Sequence, residues 1–147
     1  MADRVEVVGL REFRRELKRI GPQWPKELRQ ANKDAAELVA AEARRRAPRG
    51  PHEGGGRVVP IHLNIRALGS QRAGQVATGG ARSPHGPVYE FGGSIPRRGD
   101  TAARTQVRAQ PYIYPALGAM RDEVVEFYGE AVDRVSRRAF PDRGFFR

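Results

Sequence analysis

The sequence predicts an α+β fold: a small antiparallel β-sheet packed against a long N-terminal helix pair and a C-terminal helix. Three observations lead there. Apolar residues recur every three to four positions near both ends of the chain, which is helical spacing. Between residues 61 and 110 the period shortens to two, and Gly and Pro punctuate the pattern. Helices at the ends with strands between them argue for helices on one face of an antiparallel sheet. A chain of 147 residues fits one domain, 1–147, and no internal repeat is visible.

The helical N-terminal part covers 8–47. In "GLREFRRELKRIG", Leu10, Phe13, Leu17 and Ile20 form one apolar stripe opposite a basic face. Gly21, Pro22 and Pro25 break this helix, and a longer one runs from about Lys26 to Ala47. Leu28, Ala31, Ala35, Leu38 and Val39 supply its stripe, rich enough in alanine for a neighbouring backbone to approach closely. Pro48 and Gly50 end it, and 48–60, "PRGPHEGGGRVVP", reads as a flexible loop.

The sheet is expected within 61–110. "IHLNIRAL" alternates, with Ile61, Leu63, Ile65 and Ala67 inward and His62, Asn64 and Arg66 outward. Ser70 to Gly74 make a turn, and "GQVATGG" returns as an antiparallel partner. "VYEFGG" reads as a short strand or turn, 93–105 as a second flexible loop, and "TQVRAQ" as one more strand. The C-terminal helix is expected over 115–138, with Pro115 at its first position, where the missing N–H is harmless. Leu117, Met120, Val124, Phe127 or Tyr128, Ala131 and Val135 form its stripe. A tail, 139–147, carries Phe140, Phe145 and Phe146.

The formal charge is +10, and its excess lies in the first two thirds: residues 1–50 hold 13 basic against 8 acidic side chains, and 51–111 hold 8 against 3. Such a field suits polyanions or an acidic protein partner and says nothing of fold. With no cysteine, disulfides, thiolate metal sites and cysteine nucleophiles are excluded. "MADRVEVVGL" has no apolar run long enough for a signal peptide, and no later stretch approaches a membrane span. The expectation is a soluble protein made in the cytoplasm, with no membrane contact.

Catalysis fits poorly. His52, His62 and His85 lack metal-ligand spacing to one another or to a carboxylate pair. The acids sit on helices near basic residues, and "GGGRVV" lacks the Lys-Ser/Thr of a phosphate loop. No catalytic residue, metal or cofactor is assigned. Nucleic-acid binding has more support. Arg44, Arg45 and Arg46 close the second helix, and Arg97, Arg98, Arg104 and Arg108 surround the second loop as candidate contacts to DNA or an acidic partner. Basic residues at a helix C-terminus also complement its dipole, and no nucleic-acid-binding motif accompanies them.

The aromatic segments "PVYEFGGSIP" and "AQPYIYPAL" carry the strongest signal. Strand alternation puts Tyr89 and Phe91 on one face and Val88 and Glu90 on the other. Gly92 and Gly93 permit a tight turn, while Pro111 and Pro115 stiffen the segment presenting Tyr112 and Tyr114. Preorganised aromatics beside charges suit an interface. The start of the last helix leaves N–H groups that Glu90 can accept from; the alternative is an edge strand with Glu90 in water.

Taken in order, "VVGLREFRRELKRIG", "AEARRRAP", "IHLNI", "PVYEFG" and "AQPYIYPAL" resemble the tail-component family of long-tailed phages: small tail-completion or head–tail joining proteins. The similarity runs from about Val8 to Met120, strongest at Glu90-Phe91-Gly92 and at Gln110-Pro111-Tyr112 into Pro115-Ala116. The long Gly/Arg loops and the Phe-containing tail depart from the family pattern. The resemblance implies an α+β virion structural protein without catalysis, in a homo-oligomeric ring (usually six-fold) at the neck or tail end. Its neighbours would be copies of itself and other neck and tail proteins, with non-specific DNA contact in the channel. Under that reading Tyr89, Glu90, Phe91, Gly92, Pro111, Tyr112, Tyr114 and Pro115 serve the subunit interface, and Phe140, Phe145 and Phe146 make tail contacts. The alternative class is a free basic nucleic-acid-binding protein.

Overall fold

The computed structural model describes residues 8–49, 59–81, 83–97 and 100–141; the side chains of 97 and 100–102 are outside that description. The fold is α+β, with two small two-stranded antiparallel sheets among the described residues in place of the single expected sheet. Most of the expected loop 48–60 lies outside the described residues, as do Phe145 and Phe146.

Helix α1, Leu10–Ile20, buries Leu17 fully and rests Leu10 and Phe13 against the core. The fourth member of the expected stripe, Ile20, is instead exposed, because the chain turns at Gly21 before it meets a neighbour. Helix α2, Gln23–Arg46, begins earlier than the prolines suggest. Pro22 is its N-cap and Pro25 lies in its first turn, where a missing N–H breaks no helical bond. The prolines therefore open α2.

"IHLNIRAL" is only half a strand. Ile61–Asn64 forms a 3-10 turn, closed by Leu63 N–H donating to Pro60 O at 3.0 Å and Asn64 Nδ2 donating to Gly79 O at 2.8 Å. These two bonds break the alternation. Leu63 points to solvent, while Ile61, Ile65 and Ala67 are buried as expected. Strand β1, Arg66–Gly69, pairs antiparallel with β2, Gly74–Ala77, matching Ala67 with Val76 and Gly69 with Gly74. Ser70 Oγ accepts from Arg72 N and Ala73 N at 3.1 and 3.0 Å, the side-chain turn that fixes this register.

The hairpin lies directly on the α2 backbone. A Cβ on Gly74 would stand 2.2 Å from Asn32 O, and one on Gly69 2.5 Å from Arg29 O. Asn32 Nδ2 donates to Ser70 O at 2.7 Å and ties the turn down. The close backbone approach to α2 thus falls at Arg29, Lys33, Asn32 and Ala36, beside the expected alanine stripe.

Two expectations fail between residues 86 and 107. In "VYEFGG", Val88 to Phe91 are neither strand nor turn but the end of helix α3, Gly86–Phe91, with Pro87 pre-set for its first turn and Tyr89 N–H donating to His85 O at 3.1 Å. Gly92, at φ 78°, ends it in the left-handed region. Among the described residues, the expected flexible loop 93–105 is paired strand: β3, Gly93–Arg97, pairs with β4, Asp100–Val107, placing Ile95 opposite Thr105, and the strand expected in "TQVRAQ" is present as the end of β4. Pairing shifts between Pro96 and Arg97, as suits a proline with no ladder donor.

Helix α4, Ile113–Ala139, packs along α2. One buried cluster joins Val39, Ala40 and Ala43 of α2 to Ile61, Ile65, Ala67, Tyr112 and Ala116. A second joins Leu17, Leu28 and Ala35 to Tyr128, Val135 and Ala139, and Val124 touches both. Pro115 is the third residue of α4 where the sequence suggested the first, and that shift organises the site described next.

A candidate subunit-contact site

The site is built at the start of α4. An α-helix leaves its first four N–H groups without intrahelical partners. Tyr112 sits at the N-cap, a position for which its side chain has no short acceptor, and it makes no cap bond of its own. Glu90, reaching across from α3, takes over that role. Its Oε2 accepts from Tyr112 N at 2.7 Å and Ile113 N at 3.0 Å, and its Oε1 accepts from Tyr114 N at 3.1 Å. The fourth position is Pro115, which has no N–H, and Ala116 N–H makes the first intrahelical bond, to Tyr112 O. Every N–H at the helix start is accounted for.

Only 4% of Glu90 is exposed. A buried carboxylate needs compensation, and three charge-assisted bonds at the positive end of a helix dipole supply it. The reading of Glu90 as a solvated edge-strand acid is overturned, because a helical turn carries it inward. Gln110 N–H donates to Tyr89 O at 2.7 Å, a second tie between the two segments.

Tyr112 is fully buried, and its hydroxyl donates to Gly86 O at 3.0 Å. Thr78 Oγ1 stands 3.0 Å from that hydroxyl, and with the tyrosine proton committed to a carbonyl, Thr78 is the donor. Burial, with a further push from the Glu90 charge, raises the Tyr112 phenol pKa above its ordinary value, against a lowering by the Thr78 bond.

The expected aromatic contacts therefore divide. Tyr112 is committed to its own chain, and Tyr89 is half-buried against the first core cluster. Phe91 and Tyr114 face solvent, 68% and 44% exposed, and meet edge to face with ring centroids 5.9 Å apart. The expected pairing of Tyr89 with Phe91 on one face fails for the same helical reason. Gly92 is half-buried, Pro111 exposed and Pro115 half-buried around this pair.

The arginines divide as well. Arg44 donates through Nε and Nη2 to Ile65 O at 3.1 and 2.9 Å and pairs with Glu37. Arg45 and Arg46 both pair with Glu42, whose carboxyl the Arg46 bond holds below its ordinary pKa, helped by Arg45 and opposed by burial. Arg104 and Arg108 are exposed on and beside β4 and make no ion pair among the described residues. Arg98 and the Arg97 side chain lie outside the described residues. Phe140 is half-buried against the second core cluster of its own chain.

Among the described residues, no three His, Asp or Glu side chains gather as a metal-binding group, and no helix is long and apolar enough to cross a membrane. No family model, curated protein or solved structure matches the chain.

Proposed function

We propose that the protein is a non-enzymatic virion structural subunit of a long-tailed bacteriophage, forming a ring, six-fold by the family resemblance, at the head–tail junction or tail end. The observation that carries this reading is the Phe91–Tyr114 pair: two large exposed rings held stiffly by a buried carboxylate beneath them. Their rigidity lowers the entropy lost on docking. The same latch joins Glu90-Phe91-Gly92 to Gln110-Pro111-Tyr112, the two stretches on which the family resemblance rests most heavily.

The experiment is antibody labelling of intact phage particles with serum raised against the chain. Label at the neck or tail end is expected, and unlabelled particles would remove the virion reading. A second reading, a basic nucleic-acid-binding protein, draws on exposed Arg104 and Arg108. The internal engagement of Arg44, Arg45 and Arg46 weakens it.

A further inference from the structure

Two outer helix faces are complementary in charge and spacing. On α4, Asp122, Glu126 and Glu130 follow at i, i+4 and i+8, which places them on one face over about 12 Å. All three are exposed and none has an ion pair among the described residues. Val125, 48% exposed, lies beside them, and Gly129 on the same side has open space where a Cβ would stand. On α1, Arg11, Arg15 and Lys18 form an exposed stripe over about 10 Å. They too are without ion pairs among the described residues, whereas Arg19 is paired with Glu16.

Each stripe lies opposite the buried side of its own helix: Leu17 for α1; Tyr128, Ala131 and Val135 for α4. Both faces therefore point away from the core that the two helices share.

We propose that the acidic stripe of α4 docks on the basic stripe of α1 in a second copy of this chain. The inference rests on the ring reading and names one of its contacts. Two different patches that fit each other support a head-to-tail contact, which leaves one of each free on every added subunit and forms a ring where the rotation closes. The charge pairs set register and partner choice, and Val125 and Gly129 let the helices approach.

The test uses the full chain in size exclusion with light scattering, at low and high salt. One variant carries Asp122→Lys, Glu126→Lys and Glu130→Lys; the other carries Arg11→Glu, Arg15→Glu and Lys18→Glu. Each alone is expected to associate about tenfold more weakly or worse, and an equimolar mixture to recover, since every contact is again between opposite charges. Circular dichroism checks folding. Should a reversal misfold, Asp122→Asn with Glu126→Gln and Glu130→Gln replaces it, and must weaken association at low salt while flattening its salt dependence.

Reversed chains that associate like the parent, or a mixture that stays apart, would overturn the contact. So would a parent with no association at low salt. Rings in phage necks formed by the neutralised chain would remove this contact and leave the ring reading standing.

Discussion

Glu90 Oε2 accepts the Tyr112 main-chain N–H at 2.7 Å, across 22 residues of sequence, and both groups are buried. A carboxylate from one short helix thus caps another, and the two exposed rings sit immediately outside this bond. Removing the acceptor strands three N–H groups. Glu90→Ala is expected to cost about 3 kcal/mol, a typical penalty for orphaned buried donors that water partly relieves. Glu90→Gln keeps one carbonyl oxygen and should lose less. Chemical denaturation of both variants checks the order; parental stability in both would show that the cap contributes nothing.

Phe91→Ala separates folding from assembly. Full burial of this ring in its own chain would cost about 3–5 kcal/mol on truncation. With the ring mostly exposed, the folded chain should lose only about 0.5–1.5 kcal/mol, the worth of its edge contact with Tyr114. Assembly should fall much further. A large drop in thermal stability with assembly intact would remove Phe91 from the interface.

Two glycines should respond in opposite directions to alanine. At Gly74 the added methyl group meets Asn32 O, and about 1–3 kcal/mol of stability should be lost. At Gly118, inside α4 with nothing within 4 Å, alanine should add about 0.5–1 kcal/mol. Denaturation midpoints decide both.

Glu42 and Tyr112 each give stability a pH dependence of known sign. Glu42 titrates below its ordinary value in the folded chain, so its contribution is present above pH 4.5 and disappears as pH falls through the folded pKa. Tyr112 titrates above its ordinary value, so its contribution is present below pH 10.0 and is lost as pH rises through the folded pKa. Tyr112→Phe should reduce the alkaline slope of a pH–stability curve, and an unchanged slope would contradict the assignment.

The exposed arginines test what the second hairpin meets. Arg104→Glu with Arg108→Glu should leave stability within about 0.5 kcal/mol, as for surface positions without partners. Under the proposed function, joining of heads to tails should fail, because the reversed charges would repel an acidic neighbour. Tight, salt-sensitive DNA binding by the parent, with normal joining by the variant, would favour the nucleic-acid reading.

Helices α1, α2 and α4 were legible because their apolar residues repeat at helical spacing over many turns. The acceptor role of Glu90 was legible for a different reason: a proline-marked helix start advertises unpaired N–H groups. Helix α3 was not, since six residues with Val, Tyr and Phe carry more strand preference than helical period. The β3–β4 pair was half legible: "TQVRAQ" marked the end of β4, while Gly, Pro and Arg, residues that usually signal loops, hid β3 and the start of β4. Which aromatics face outward was illegible for the same reason, because assigning the wrong period to residues 86–91 reverses the faces.

Under the proposed function, this chain closes into a ring through the Phe91–Tyr114 surface. Averaged electron micrographs of the purified parent and of Phe91→Ala, prepared side by side, test it most directly. Closed rings of about six subunits are expected for the parent and scattered monomers for the variant. Rings that persist in the variant, or a parent found only as monomers both alone and with purified phage tails, would contradict it.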